Sequence, residues 1–355
     1  MTETKLLRKE SLGPLLQRLR QGGRRIVAPC QAGQTNTVWF REVDGDEQID
    51  LERFTVASAK SVVFPIVEEI LKFKTIGRQV TIQNGTPRVE STVVVGLRPC
   101  DARGLEVLDA VFLGEPQDLF FRKRREATTL ITLSCSKADE NCFCTSVGGG
   151  PGDTRGSDLL LTPVQDDRFL VEVLTPKGAQ IVEVGAELFE AVEADATQVP
   201  NKERFLASVP VRFSLSDVEA KLPRLFDREE FWHEQSLACL GCSTCAFVCP
   251  ACSCFDIQDE GALHGGRRLR CWDSCGQKLF TLHASGHNPR SIQSQRWRQR
   301  IMHKFSYLPD RSRITPDAAG RPGVFGCVGC GRCSRACPAG MNIIERLTAI
   351  AEAEL

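Results

Sequence analysis

Two stretches near the C-terminus decide the reading of this chain: Cys239-Leu-Gly-Cys242-Ser-Thr-Cys245-Ala-Phe-Val-Cys249-Pro250 and Cys327-Val-Gly-Cys330-Gly-Arg-Cys333-Ser-Arg-Ala-Cys337-Pro338. Each reads CxxCxxCxxxCP, the spacing with which thiolates hold a 4Fe-4S cubane. Three thiolates so spaced wrap one cluster, while the fourth, at the start of a helix, points away and serves the neighbouring cluster. The expected ligand sets are therefore crossed: Cys239, Cys242, Cys245 and Cys337 for one cluster, and Cys327, Cys330, Cys333 and Cys249 for the other. Thiolate is the soft ligand that such clusters select. Zinc knuckles are the rival reading, but zinc needs four cysteines in two pairs, and each run has a third cysteine in phase and a closing Cys-Pro. Gly241, Gly329 and Gly331 suit backbone that must turn tightly and present N–H groups to sulfur.

The rest of the composition agrees. A chain of 355 residues has room for two or three domains. Lys and Arg total 45, as do Asp and Glu, so the overall balance gives no sign of a nucleic-acid partner. Most of the 17 cysteines fall in metal-ligand spacings, which points to a reducing compartment. The first residues lack the apolar core of a signal peptide, and no stretch approaches the length of a membrane span. The expectation is a cytoplasmic protein with no membrane span.

The N-terminal part reads as α/β. Ser11 to Leu19 is predicted as a short helix stopped by Gly22-Gly23, Ile26–Ala28 and Val38–Val43 as strands, and Val62–Phe73 as a helix with an Ile66, Ile70, Phe73 stripe. Cys30 stands alone and reads as a small buried hydrophobe. Ser91–Leu97, Asp101–Leu113 and Thr128–Leu133 read as strand, helix, strand, a βαβ unit with parallel strands. Cys100 and Cys135 lie just past the ends of its two strands, where open α/β sheets assemble sites, and Cys142 and Cys144 follow in a loop. These four are a candidate third metal site, most simply another iron-sulfur cluster, although their spacing fits no fixed signature; buried free thiols are the alternative. The glycine run from Gly148 to Gly152 opens no helix and so reads as a turn rather than a phosphate loop. Leu159–Thr162, Phe169–Leu174 and Gln180–Val184 read as added hairpin strands, and Ala186–Ala194 as an acidic helix.

Asp195–Arg212 reads as a connection, which divides the chain into an α/β domain over 1–200 and a mostly helical, ferredoxin-like two-cluster domain over 201–355. In the second part, Ser216-Asp-Val-Glu219 looks like a capping box opening a helix that Pro223 bends or ends, and Arg228–Leu237 is a helix feeding Cys239. Residues 250 to 326 separate the two cysteine runs, so the domain carries a long insertion over about 255–320. Cys252, Cys254 and Cys275 are weaker candidates for a further cluster, and Cys271, Cys275, His283 and His287 for zinc; packing around the cubanes is the preferred reading of both sets. Arg267, Arg268, Arg270, Arg290, Arg296, Arg298, Arg300 and Lys304 form a basic run. Such a run is most often a solvated face; here it also offers cations that raise the potential of an anionic cluster, or that dock an acidic partner. Trp297, Ile301 and Phe305 give its helix one buried face, and Asn342–Glu354 forms a closing helix with Ile343, Leu347 and Ile350 inward.

Taken together, Val95-Gly-Leu-Arg-Pro-Cys100-Asp101, Ser134-Cys135, Asn141-Cys-Phe-Cys144, Cys249-Pro-Ala-Cys-Ser-Cys-Phe-Asp-Ile-Gln-Asp259, Trp272-Asp-Ser-Cys275, Gly286-His-Asn-Pro289 and the two cysteine runs resemble a known family. It comprises the β subunits of cytoplasmic sulfhydrogenases and related nickel-iron hydrogenases, together with the electron-transfer subunit of anaerobic sulfite reductase. The likeness covers nearly the whole chain, and Cys271 falls outside its pattern. It implies a subunit that passes electrons between a flavin subunit using NAD(P)H and a separate catalytic subunit, of nickel-iron hydrogenase or of sulfite or sulfur reductase type.

The residues agree with a conduit. There is no strand-linked GxGxxG and no flavin fingerprint, and the paired CxxC motifs of a nickel-iron active site are missing, so other chains would carry out the chemistry. A rival is a reductase in its own right, acting on a sulfur or disulfide substrate at the Cys100, Cys135, Cys142, Cys144 site. A third reading is a non-redox protein that uses metal only to fold.

Overall fold

Val93, Val94 and Val95 are all fully buried, as a strand covered on both faces requires, and the fold is built outward from them. The computed structural model describes residues 3–44, 49–85, 87, 89–192, 201–309 and 325–355. Its strands, in chain order, are β1 Glu3–Arg8, β2 Arg25–Gln31, β3 Val38–Glu42, β4 Val67–Ile76, β5 Gln79–Asn84, β6 Thr92–Leu97, β7 Thr128–Leu133, β8 Leu159–Val164, β9 Arg168–Val173, β10 Phe189–Ala191, β11 Phe255–Ala262 and β12 Gly265–Trp272. The α-helices are α1 Leu12–Gln21, α2 Pro99–Phe112, α3 Leu119–Glu126, α4 Pro176–Val184, α5 Leu215–Leu225, α6 Glu229–Ser236, α7 Thr244–Phe247, α8 Gln293–Met302, α9 Arg332–Arg335 and α10 Ile343–Glu352.

The main sheet runs β10-β1-β9-β8-β7-β6-β2-β3. The pairs β2/β6, β6/β7 and β7/β8 are parallel, and the outer pairs are antiparallel. One face packs Val93, Val95, Ile131 and Leu161 against Leu15, Leu16 and Leu19 of α1 and Ile181 of α4. The other packs Val94, Leu97 and Leu130 against Leu105, Leu108 and Phe112 of α2, Phe121 of α3 and Phe64. This is the predicted βαβ unit with its added hairpin strands, and α3 is an element the sequence reading did not mark.

Four local expectations are corrected. Val62–Phe73 is not a helix: a 3-10 turn at Ala59–Val62 is followed by β4, whose residues from Leu71 alternate half-buried and exposed. Ile66, Ile70 and Phe73 match both periods, and pairing with β12 decides between them. Gln180–Val184 is not a strand but the end of α4; Thr175 caps that helix through the Gly178 N–H and Pro176 opens it, signals that outweigh its β-branched residues. Ala186–Ala194 is not a helix as far as it is described: a 3-10 turn at Ala186–Leu188 leads into β10, which extends the sheet beside β1, and residues 193–194 lie outside the described residues. The cap of α5 is Ser214 rather than Ser216, accepting from the Asp217 N–H at 3.3 Å, and Pro223 sits in the last turn.

The insertion holds a hairpin, β11–β12, whose second strand pairs with β4 to give a sheet in the order β11-β12-β4-β5. A sheet begun in the N-terminal half is thus completed by the C-terminal half. A buried ion network fixes it to the core: Glu68 of β4 accepts from Arg124 of α3 and Arg270 of β12, and Arg270 also reaches Asp118. The helical core gathers Val218 and Leu222 of α5, Trp232 of α6, Trp297 and Ile301 of α8, and Ile343, Leu347 and Ile350 of α10. Phe143 and Val147, from the loop after β7, pack in that same core. No helix among the described residues is long and apolar enough to cross a membrane.

Candidate iron-sulfur centres

Both cysteine runs fold alike because the same two positions of each take left-handed backbone: Gly241 and Ser243 at φ 68° and 64°, Gly329 and Gly331 at φ 68° and 71°. Successive N–H groups in such turns form a concavity for anionic sulfur. Each run then starts a one-turn helix, α7 or α9, so that the last cysteine leaves its own loop.

The first hollow is lined by Cys239, Cys242 and Cys245 together with Cys337 of the other run, and Cys333 borders it. Gln293 Nε2 donates to Cys239 Sγ at 3.1 Å and the Met341 N–H to Cys337 Sγ at 3.3 Å. Donors of this kind favour thiolate. Cys242 is exposed, and its hydrogen bond with Thr244 holds its pKa below the ordinary thiol value.

Cys249, in turn, leaves the first run and lies against Val328 and Cys330 of the second. Lys304 Nζ stands 3.5 Å from Cys249 Sγ and donates to the Gly326 carbonyl at 2.5 Å. Burial pushes the Cys333 thiol up to about 12, opposed by Arg300. A buried thiol with so high a pKa becomes thiolate only when a metal replaces its proton.

Cys100, Cys135, Cys142 and Cys144 meet at a third hollow, which Cys330 also lines. The turn after β6 explains how. Arg98 caps α2, Pro99 opens it, and the Asp101 carboxylate accepts from the Arg98 N–H at 3.2 Å, so Cys100 sits in the first helical turn facing the end of β7. Cys135, just past β7, is held by its N–H to Pro151 at 2.9 Å and by Ala207 N–H to its carbonyl at 2.7 Å. Burial raises Cys135 to about 11 and Cys144 to about 12, with Cys135 and Cys142 adding to the latter. The loop touches the second run directly: the Phe143 N–H donates to the Gly329 carbonyl at 3.0 Å, and a Cβ at Gly329 would stand 2.5 Å from the Cys144 Cα.

Cys252, Cys254 and Cys275 share a fourth hollow with Arg300, His303 and Lys304. Cys271 does not join them; it lies on β12 opposite Asp256, its thiol facing Gln258. His283 and His287 pack edge to face on one another at 5.4 Å, while Cys275 faces Cys254. Cys30 is buried in the core of the main sheet.

The basic run divides in two. Arg267 and Arg268 are solvent-exposed and pair with Glu260 and Asp259. Arg300 and Lys304 are buried among thiols. Sequence reasoning missed Lys60, which donates to the carbonyls of Cys252 at 2.9 Å and Ala246 at 3.3 Å, and nothing in its neighbourhood of the chain signals this. It also missed Arg332, whose guanidinium pairs with Asp101 at 2.7 Å.

The donor sets fit iron-sulfur clusters: thiols converge with backbone N–H groups and buried cations. Among the described residues, no three His, Cys, Asp or Glu side chains are disposed to hold a single metal ion. That holds for the two cysteine runs as well, and a cubane spreads its thiolates more widely than a lone ion does.

Comparison with known proteins agrees with this chemistry. The family described as a 4Fe-4S dicluster domain matches residues 238–341. Over 350 residues, 98% of this chain and 98% of the relative, the sequence is 29% identical to sulfhydrogenase 2 subunit beta of Pyrococcus furiosus. The chain belongs to the β-subunit family of sulfhydrogenases and is an iron-sulfur electron-transfer subunit.

Proposed function

We propose that the chain relays electrons inside a heteromeric oxidoreductase, between a subunit that binds flavin and NAD(P)H and a catalytic subunit of nickel-iron hydrogenase or of sulfite or sulfur reductase type. The observation that carries this is the contiguity of three thiol sites. Cys330 borders the N-terminal set at Cys100 and lies against Cys249, while Cys333 borders the hollow of Cys239, Cys242, Cys245 and Cys337. Clusters at these places would supply reversible one-electron storage.

In this reading the chain's own part is to hold, insulate and tune. The crossed cysteines Cys249 and Cys337 fasten the two runs to one another, and the apolar side chains of the helical core keep water from the buried thiols. Cys242 and the exposed Leu237 and Leu240 beside it form the face through which a partner would approach the outermost site. Two 4Fe-4S clusters occupy the crossed sets, and a third lies at Cys100, Cys135, Cys142 and Cys144.

A second reading is supported by the third hollow, where Arg98, Arg332 and Arg335 stand beside the thiols and would suit an anionic sulfur substrate. Anaerobic purification with whatever chains co-elute, followed by redox titration with electron paramagnetic resonance, tests the relay. Reversible cluster signals and partner chains support it. Reduction of sulfur or disulfide by the isolated chain with reduced viologen would favour the second reading.

A further inference from the structure

Three cations are buried together without a carboxylate. Lys60, Arg300 and Lys304 are 3%, 4% and 5% exposed, and among the described residues no Asp or Glu lies within ion-pair distance of any of them. Burying an unpaired charge is costly, so each needs an anion close by. What they face is sulfur. Arg300 Nη1 lies 3.8 Å from Cys252 Sγ, Lys304 Nζ lies 3.5 Å from Cys249 Sγ, and Lys60 donates to the Cys252 carbonyl while its ammonium sits 4.1 Å over the Trp272 ring. Cys249 already serves the second crossed set. Cys252, Cys254 and Cys275 belong to none of the three sites of the relay.

We infer that Cys252, Cys254 and Cys275 hold a further iron-sulfur cluster, with Lys60, Arg300 and Lys304 as its built-in counter-charge. The inference deepens the proposed relay and rests on the chain being an iron-sulfur protein. Three arguments support it. The three thiols line one hollow although they come from the Cys-Pro turn of the first run and from the segment after β12, so the fold brings together what the chain separates. Thiolate-ligated clusters are net anions, and this is the charge that the three cations lack. The hairpin β11–β12, which brings Cys254 and Cys275 together at its base, has an anchor of its own in the Arg270 network with Glu68 and Asp118. The fourth corner of a cubane held this way has no cysteine. The remaining polar side chains of the hollow are Arg300, His303 and Lys304, so that corner is open to a small anionic ligand.

The test compares the full chain with Cys254→Ser and Cys275→Ser, each purified anaerobically and read by iron and acid-labile sulfide per chain and by electron paramagnetic resonance of the reduced protein. Each variant should lose about four iron and one and the same signal, with the signals of the two crossed sets retained. Those retained signals show that the variants are folded. Lys60→Met, which keeps every thiol, should keep the iron and lower the midpoint potential of that one signal. Iron and sulfide unchanged in both serine variants, or loss of a crossed-set signal in place of a separate one, overturns the inference and leaves the relay standing. A wild-type chain without iron would overturn the relay itself.

Discussion

Arg332, which sits between Cys330 and Cys333, forms a buried ion pair with Asp101, the neighbour of Cys100: Nη1 to Oδ1 is 2.7 Å and Nη2 to Oδ2 is 2.9 Å. Arg332 is also tied to Thr55 through its carbonyl at 3.1 Å and its hydroxyl at 2.8 Å. Burial opposes the guanidinium's charge, and Asp101 with the thiols of Cys330 and Cys100 more than offsets it, so its pKa is held above the ordinary arginine value. One side chain thus joins the second cysteine run to the N-terminal cysteine site.

Arg332→Met should therefore leave Asp101 buried and unpaired, at a cost of about 3–5 kcal/mol. Anaerobic denaturant titration of the iron-loaded protein checks this. Adding Asp101→Asn should recover part of the loss, because the stranded charge is then gone.

Cys337→Ser should abolish the signal of the cluster whose other ligands are Cys239, Cys242 and Cys245, nearly a hundred residues earlier. Electron paramagnetic resonance of the reduced variant reads this directly. Loss confined to the Cys327, Cys330, Cys333 set would mean that each run keeps its own fourth ligand.

Cys135→Ser should lower iron by about four per chain and spare both crossed-set signals. Unchanged iron would make Cys100, Cys135, Cys142 and Cys144 packing residues.

Gly329 and Gly340 both have positive φ, 68° and 67°, yet only Gly329 is crowded: a Cβ there would meet the Cys144 Cα and N at 2.5 Å, whereas nothing lies within 4 Å at Gly340. Gly340→Ala should cost about 1–3 kcal/mol from backbone strain alone. Gly329→Ala should cost more, and should also disturb the N-terminal cysteine site by pushing the Cys144 loop from the second run. The difference between the two melting curves isolates the close approach.

Removing the metal should loosen the C-terminal half first. Cys327 is part of the helical core, with Cys239, Cys333 and Cys337 packed against it, whereas the core of the main sheet holds no candidate ligand. After reduction and chelation, protease cleavage should appear within residues 238–341 while β6, β7 and their helices stay protected.

The two cysteine runs were legible because their code is local: the ligands of a cubane sit two and three residues apart, and the left-handed positions between them are written as Gly in three of four cases. The βαβ unit was legible for a similar reason, since Val93–Val95 and Leu105, Leu108 and Phe112 show their periods within a single element. Val62–Phe73 was not, because an apolar stripe at 66, 70 and 73 also suits an edge strand, and the partner that makes it one, β12, lies some two hundred residues away.

Sequence alone determined that this protein grips iron-sulfur clusters with crossed thiols and that an α/β layer precedes them. Tertiary structure alone decided where charge is buried. Lys60, Arg300 and Lys304 look in the sequence like any solvated cations, and Arg332 gives no sign of Asp101. A side chain's desolvation and its counter-charge depend on what the fold places around it, and neighbours distant in the chain leave no periodic trace in it.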